Sequence, residues 1–287
     1  MGTNRRKPQP PVLQETLHDE IGFWSEIKLD ILRRYWPEYT RIVKKQSIGF
    51  RTLYVDAFAG SGKHVSKERG DFVMGSPARA LEVEPPFDEY HFIDMDKAKV
   101  RSLENLAAAR SDVFVHHGDC NDILVNEVFP RAEYRDYRRA VCLLDPYSLQ
   151  LDWTIVRRAG EMRSVEVFLN FPIMDINRNV LRPRASAEKE RQMTRFWGDE
   201  SWRDTAYRHE ETLFGDTEVH KIENRELVAA FRERMKNVGG FEFVPEPIAM
   251  RNSKHATVYY LFFGGNNKTG AKIVDWIFAD YRRKGYG

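Results

Sequence analysis

Four short apolar runs each meet an aspartate at or just past their C-terminal end. They are Leu53-Tyr54-Val55 before Asp56, Tyr90-His91-Phe92-Ile93 before Asp94, Val113-Phe114-Val115-His116 before Asp119, and Ala140-Val141-Cys142-Leu143-Leu144 before Asp145. Helix-forming stretches separate them: Ser76-Pro77 opens one, Lys97 to Arg110 is amphipathic, and Asn121 to Phe129 is another. Strands alternating with helices restrict the chain to a doubly wound, mostly parallel sheet, whose strand C-termini share one edge where ligands bind. A fifth strand, Glu166 to Leu169, brings Asn170-Phe171-Pro172 to the same edge. After a helix over Asn224 to Val238, two strands over Phe241 to Arg251 and Thr257 to Phe263 make a closing hairpin, and Gly270 to Tyr281 is the last helix.

The first strand runs into Asp56-Ala57-Phe58-Ala59-Gly60-Ser61-Gly62, a loop bare enough for a ligand to lie against its backbone. A triphosphate-cradling loop needs a Gly where Ala57 stands and a Ser or Thr where His64 stands, so Gly62-Lys63 does not complete it. A dinucleotide fingerprint finds only Gly60 and Gly62, and Lys63 to Gly70 reads as polar loop rather than helix. The D-x-F-x-G-x-G pattern of an S-adenosyl-L-methionine (SAM) loop is satisfied throughout. On that reading Asp56, Gly60 and Gly62 hold the methionine end. Asp94 accepts from the ribose diol, and Asp119 with Cys120 faces the adenine. Phe58 within the loop and Met95 after Asp94 complete the expected cofactor contacts.

The remainder of the chain adds bounds. Residues 1–17 read as a disordered basic arm, and 18–287 as one domain with a helical segment over 18–48 broken at Pro37. Lys28, on that segment, is placed to reach a ligand if the helix leans over the site. Residues 63–75 read as an extra loop. No apolar run approaches the ~20 residues of a membrane span, and the N-terminal residues lack the apolar core of a secretory signal. Two cysteines, Cys120 and Cys142, point to a reducing, cytoplasmic setting. His116, His117 and Cys120 lack a fourth ligand at zinc spacing, so no metal is expected. Residues 173–220 read as a helical insertion over the ligand edge. Arg182 to Arg195 carries five basic against two acidic side chains, which suits a phosphate backbone, and Asp199 to Glu218 reverses to seven acidic against two basic. The net charge of +2 neither demands nor excludes nucleic acid.

Asp145-Pro146-Tyr147 offers a hydrogen-bond acceptor and a stacking ring where the sheet binds ligands, and marks the candidate reaction centre. Asn170 adds a second polar group there, and Arg178 and Asn179 lie in the polar start of the insertion. Five β/α units closed by a hairpin describe a Rossmann-like class I methyltransferase sheet: mostly parallel, last strand antiparallel, helices on both faces. With D-A-F-A-G-S-G at Asp56, G-S-P-A-R-A-L at Gly75, F-I-D-M-D at Phe92, D-P-Y-S-L-Q-L-D-W at Asp145 and L-N-F-P-I-M-D-I-N-R-N at Leu169, the chain resembles the three-Cys-motif partner protein (TcmP) family. This is a bacterial group assigned to SAM-dependent methyltransferase-like proteins. The resemblance implies a partner protein bearing a three-cysteine motif. Compared with the [DN]-P-P-[YF] motif of amino-methyltransferases, Asp145-Pro146-Tyr147 has one proline fewer. Three functions follow as expectations. One is methyl transfer to nucleic acid, with Asp145 accepting from a target amine, Tyr147 stacking on a base, and Asn170 and Arg178 orienting the substrate. The others are a non-catalytic partner-binding module and a protein or small-molecule methyltransferase.

Overall fold

A computed structural model of the chain describes residues 20–21, 23–46, 48–66, 72–182, 184–211 and 217–286. The arm expected over 1–17 lies outside the described residues. Numbering only the strands of the main sheet, these are β1 (Arg51–Asp56), β2 (Glu89–Asp94), β3 (Val113–His117), β4 (Arg138–Leu144), β5 (Val165–Phe171), β6 (Ile248–Arg251) and β7 (Thr257–Gly264). Their spatial order is β6-β7-β5-β4-β1-β2-β3. β1 to β5 pair in parallel, and β7 inserts antiparallel between β5 and β6. This is the class I methyltransferase topology. Its strand order reverses between β1 and β4, and a switch point of that kind opens a crevice beyond the strand ends.

Side-chain alternation builds a core on each face. Leu53, Val55, Cys142 and Leu144 point into one, and Tyr54, Val141 and Leu143 into the other. The second core is covered by α1 (Phe23–Lys44) and α7 (Lys268–Arg283), the first by α4 (Trp153–Met162), α5 (Ala187–Trp197) and α6 (Asn224–Asn237). Between them in chain order stand the short α2 (Ser76–Ala80) and α3 (Lys97–Ala107).

Several expectations are corrected. Pro37 does not break the first helix, which runs unbroken because Ile31, Leu32, Tyr35, Trp36 and Tyr39 are all buried against the sheet, and packing outweighs the lost hydrogen bond. The expected polar loop after Gly62 is instead a pair of antiparallel strands, Lys63–Ser66 and Phe72–Met74, joined in parallel by Glu20–Ile21. The helix after Asp119 is one α-turn, Cys120–Ile123, passing into a π-turn over Leu124–Val128. Only Ile248–Arg251 of the sixth strand pairs in the sheet, and Phe243 reaches it through a single bridge to Gly265. The insertion is partly β: beside α5 and the turn Trp202–Ala206 it holds the antiparallel hairpin Tyr207–Glu211 and Thr217–Lys221.

Candidate active site

Beyond the strand ends lies a cleft of about 1180 Å³, lined by Lys28, Phe58, Gly60, Asp94, Met95, Asp119, Cys120, Asp145, Pro146, Tyr147, Asn170 and Arg178, together with Trp24, Lys99, Gln192, Arg195 and Tyr259. That volume exceeds what a nucleoside-sized ligand needs.

The cleft floor is the glycine loop. Ala57 N–H donates to the Leu143 carbonyl at 3.0 Å and Ala59 N–H to Ile93 at 2.9 Å, so the loop extends the pairing of β1 on both sides before turning. Gly60 then takes φ +65° and donates its N–H to Asp94 at 2.9 Å. The other Asp94 oxygen accepts from Asp96 N–H at 2.8 Å, and a carboxylate so held keeps lone pairs for a further donor. Asp56 does not line the cleft. It is fully buried beneath the loop, accepting from the Tyr54 hydroxyl at 3.1 Å and Phe58 N–H at 3.4 Å, and burial pushes its carboxyl up to about 6. Gly62, at φ +77°, also turns away: a Cβ there would sit 3.1 Å from Leu106 on α3. Both residues brace the loop where sequence reasoning placed them on the ligand.

Asp119 caps the short helix that follows it, accepting from the backbone and side-chain amides of Asn121 at 2.9 Å each. Asn121, read in the sequence only as the start of a helix, also donates to the Gln150 carbonyl at 3.0 Å and accepts from Asp152 N–H at 2.9 Å, tying the segments that follow β3 and β4 together. Burial pushes the Cys120 thiol up to about 12, so it is neutral lining and not a nucleophile.

At the centre stands Asp145. Leu144 pairs with Leu169, so the next residues, Asp145 and Asn170, emerge side by side. One Asp145 oxygen accepts from the Asn170 amide nitrogen, and the other holds the ammonium of Lys28. Lys28 is 6% exposed, and its ammonium lies 5.8 Å from the centre of the Tyr259 ring. Tyr259 donates to the Trp24 carbonyl at 3.4 Å, so α1 and β7 together form one wall. A signal for Lys28 existed in the helical spacing of the first segment. None existed for Tyr259, whose position depends on strand register.

Around the mouth, Tyr147 and Met95 are each 66% exposed, and the Lys99 ammonium sits 5.9 Å from the Tyr147 ring centre. Ser148 adopts φ +57° and is anchored to Asp175, which also accepts from Asn179 at 2.5 Å. Asn179 therefore supports the loop after Tyr147 and does not line the cleft. Arg178 lines it, exposed, while Arg195 reaches the cleft and pairs with Asp152 at 2.6 Å. Among the described residues no group of three or more His, Cys, Asp or Glu side chains is placed to hold a metal, and no helix is long and apolar enough to cross a membrane. His116 instead contacts His91 at 3.1 Å and Glu127 at 3.1 Å.

No family model matches the chain, and no curated protein matches it in sequence. Among solved structures, its fold is similar to that of protein LPL1258 of Legionella pneumophila, family DUF519, at 12% identity over 92% of this chain and 94% of that chain, with a TM-score of 0.54. Looser likenesses reach a candidate methyltransferase, yhhF, of Escherichia coli (11% identity, 92% and 93% covered, TM-score 0.36). Another is the bifunctional kinase-methyltransferase WbdD (12% identity, 83% of this chain and 39% of that chain, TM-score 0.38).

Proposed function

We propose that this chain is a SAM-dependent methyltransferase that modifies an amino group in nucleic acid. The observation that carries the proposal is the single cleft at the switch point, which unites Gly60, Asp94 and Asp119 with Asp145, Tyr147 and Asn170. These residues fit the cofactor: Gly60 brings bare backbone to the cleft, and Asp94 keeps acceptor capacity for a diol. The cofactor, when bound, supplies an electrophilic methyl group on a sulfonium. The protein's task is then alignment and charge placement. Asp94 and Asp119 position the nucleoside, Tyr147 and Met95 offer exposed faces on which an extruded base can stack, and Arg178 offers a cation for a phosphate. The low cysteine content adds a cytoplasmic setting to this proposal, and the TcmP resemblance a three-Cys-motif partner.

Titration calorimetry with SAM and S-adenosylhomocysteine tests the cofactor, and Asp94→Ala is expected to weaken both by about tenfold or more. Tritiated SAM incubated with total RNA, DNA and protein is expected to label a nucleic-acid pool with the wild type and not with Asp145→Ala. No binding, or label confined to protein, overturns the reading. One observation favours a second reading, a non-catalytic partner-binding module: both Asp145 oxygens are already engaged inside the protein. SAM binding with no pool labelled, and co-purification with a partner, would favour it.

A further inference from the structure

We propose that the group accepting a hydrogen bond from the target amine is the side-chain carbonyl of Asn170, with Asp145 and Lys28 as positioning residues that aim it. This inference rests on the SAM-dependent reading above.

The hydrogen-bond inventory leads there. Asp145 directs one oxygen to Lys28 and the other to the Asn170 amide nitrogen. That contact decides the orientation of the Asn170 amide, because the flipped amide would set two acceptor oxygens against each other. Asn170 Oδ1 is consequently left buried with no partner, in a residue 4% exposed that lines the cleft. A buried acceptor without a donor is rare in folded proteins and marks a place for a donor to arrive. The surroundings hold it still. Asn170 pairs with Leu261 and directly follows the Leu144–Leu169 pair, and Lys28 keeps Asp145 from swinging toward the substrate.

This arrangement selects the nucleophile. An amide carbonyl accepts a hydrogen bond but is not a base, and the neighbouring carboxylate is committed to a cation. A hydroxyl acceptor, which gives up its proton as it attacks, finds no free base in this Asn170–Asp145 pair. A neutral amine attacks first and loses its proton afterwards. A C–N bond forms as the C–S bond breaks, sulfur keeps the electron pair, and the proton on the now cationic nitrogen passes to water at the open side of the cleft. Asn170 Oδ1 would orient the amine by one N–H and stabilise the positive charge that develops on it.

The test needs no identified substrate. Sinefungin carries a protonated amine where SAM carries its methyl group, and S-adenosylhomocysteine carries nothing there. Calorimetry is expected to show sinefungin binding about tenfold tighter than S-adenosylhomocysteine to the wild type. Asn170→Leu is expected to bring that ratio to about one while S-adenosylhomocysteine binds within about threefold of wild type. Should Asn170→Leu fail to fold by circular dichroism, Asn170→Ala takes its place. A ratio unchanged in the folded Leu or Ala variant, or one lost only in Asp145→Ala, overturns the inference. Equal binding of the two nucleosides to the wild type overturns it and leaves the cofactor reading standing. Failure of both to bind overturns the two together.

Discussion

Glu166 shows what burial does to a single carboxyl outside the cleft. It lies near the start of β5, fully enclosed, accepting from the Tyr35 hydroxyl. Burial pushes it up to about 7, the hydrogen bond from Tyr35 pulling the other way. The native protein therefore binds this proton more tightly than the unfolded chain. Stability contributed by the protonated form is present below the unfolded value near 4.5 and is lost as pH rises toward about 7. The full loss is roughly 3 kcal/mol. Glu166→Gln keeps an acceptor for Tyr35 and removes the titration. Urea midpoints are expected to fall more steeply between about pH 5 and pH 8 in the wild type than in the variant, where Asp56 still titrates, and the variant is the more stable at the higher pH. An equal slope in both proteins would show that the titration lies elsewhere.

Helix α4 seats on the first core through a contact that admits no side chain. A Cβ at Gly160 would lie 1.9 Å from the Gly239 carbonyl oxygen, and the Gly160 carbonyl accepts from Asn266 at 3.0 Å. The obstacle is backbone, so Gly160→Ala must shift the helix. It is expected to cost about 3 kcal/mol or more, read from urea unfolding, and a cost under about 1 kcal/mol would contradict this seating. Gly239-Gly240 was legible in the sequence as the stop of the preceding helix, but its fit against Gly160 was not, because the two are brought together only by packing. The same division runs through the other elements. The five parallel strands were legible from apolar runs ending in turn residues, and the antiparallel last strand from the likeness of five β/α units closed by a hairpin to a class I methyltransferase sheet. The continuity of α1 through Pro37 was not, since a proline's local cost is visible in a sequence and the burial that outweighs it is not. The strands over Lys63–Ser66 and Phe72–Met74 were missed for a related reason: they are short and pair with each other and with a distant segment.

At the scale of the molecule, the cleft collects groups from nearly every strand end. Asp94, Asp119, Asp145 and Asn170 were legible because a parallel sheet aligns its C-termini. Asp56 and Gly62 were placed on the wrong side of the loop, since a sequence shows that a loop is bare but not which surface faces out. Because one ligand would bridge α1, the glycine loop and β3, its binding is expected to stabilise the whole fold. S-adenosylhomocysteine at about 100 times its dissociation constant adds roughly 2.7 kcal/mol, a rise of about 4 to 5 °C in the unfolding midpoint. Calorimetric scanning reads it, and an unmoved midpoint despite measured binding would mean that the ligand does not distinguish native from unfolded chain.

The wall made by α1 and β7 has a consequence for how the protein comes into being. Trp24 meets Tyr259, Arg34 meets Asp280 at 2.7 Å, and Asp30 meets Tyr281, so the first helix is held by the last strand and the last helix. A chain leaving the ribosome carries Lys28 long before the residues that seat it exist. Asp145 and Asn170 emerge in between, and the nascent protein holds an unfinished cleft until β7 and α7 have been made.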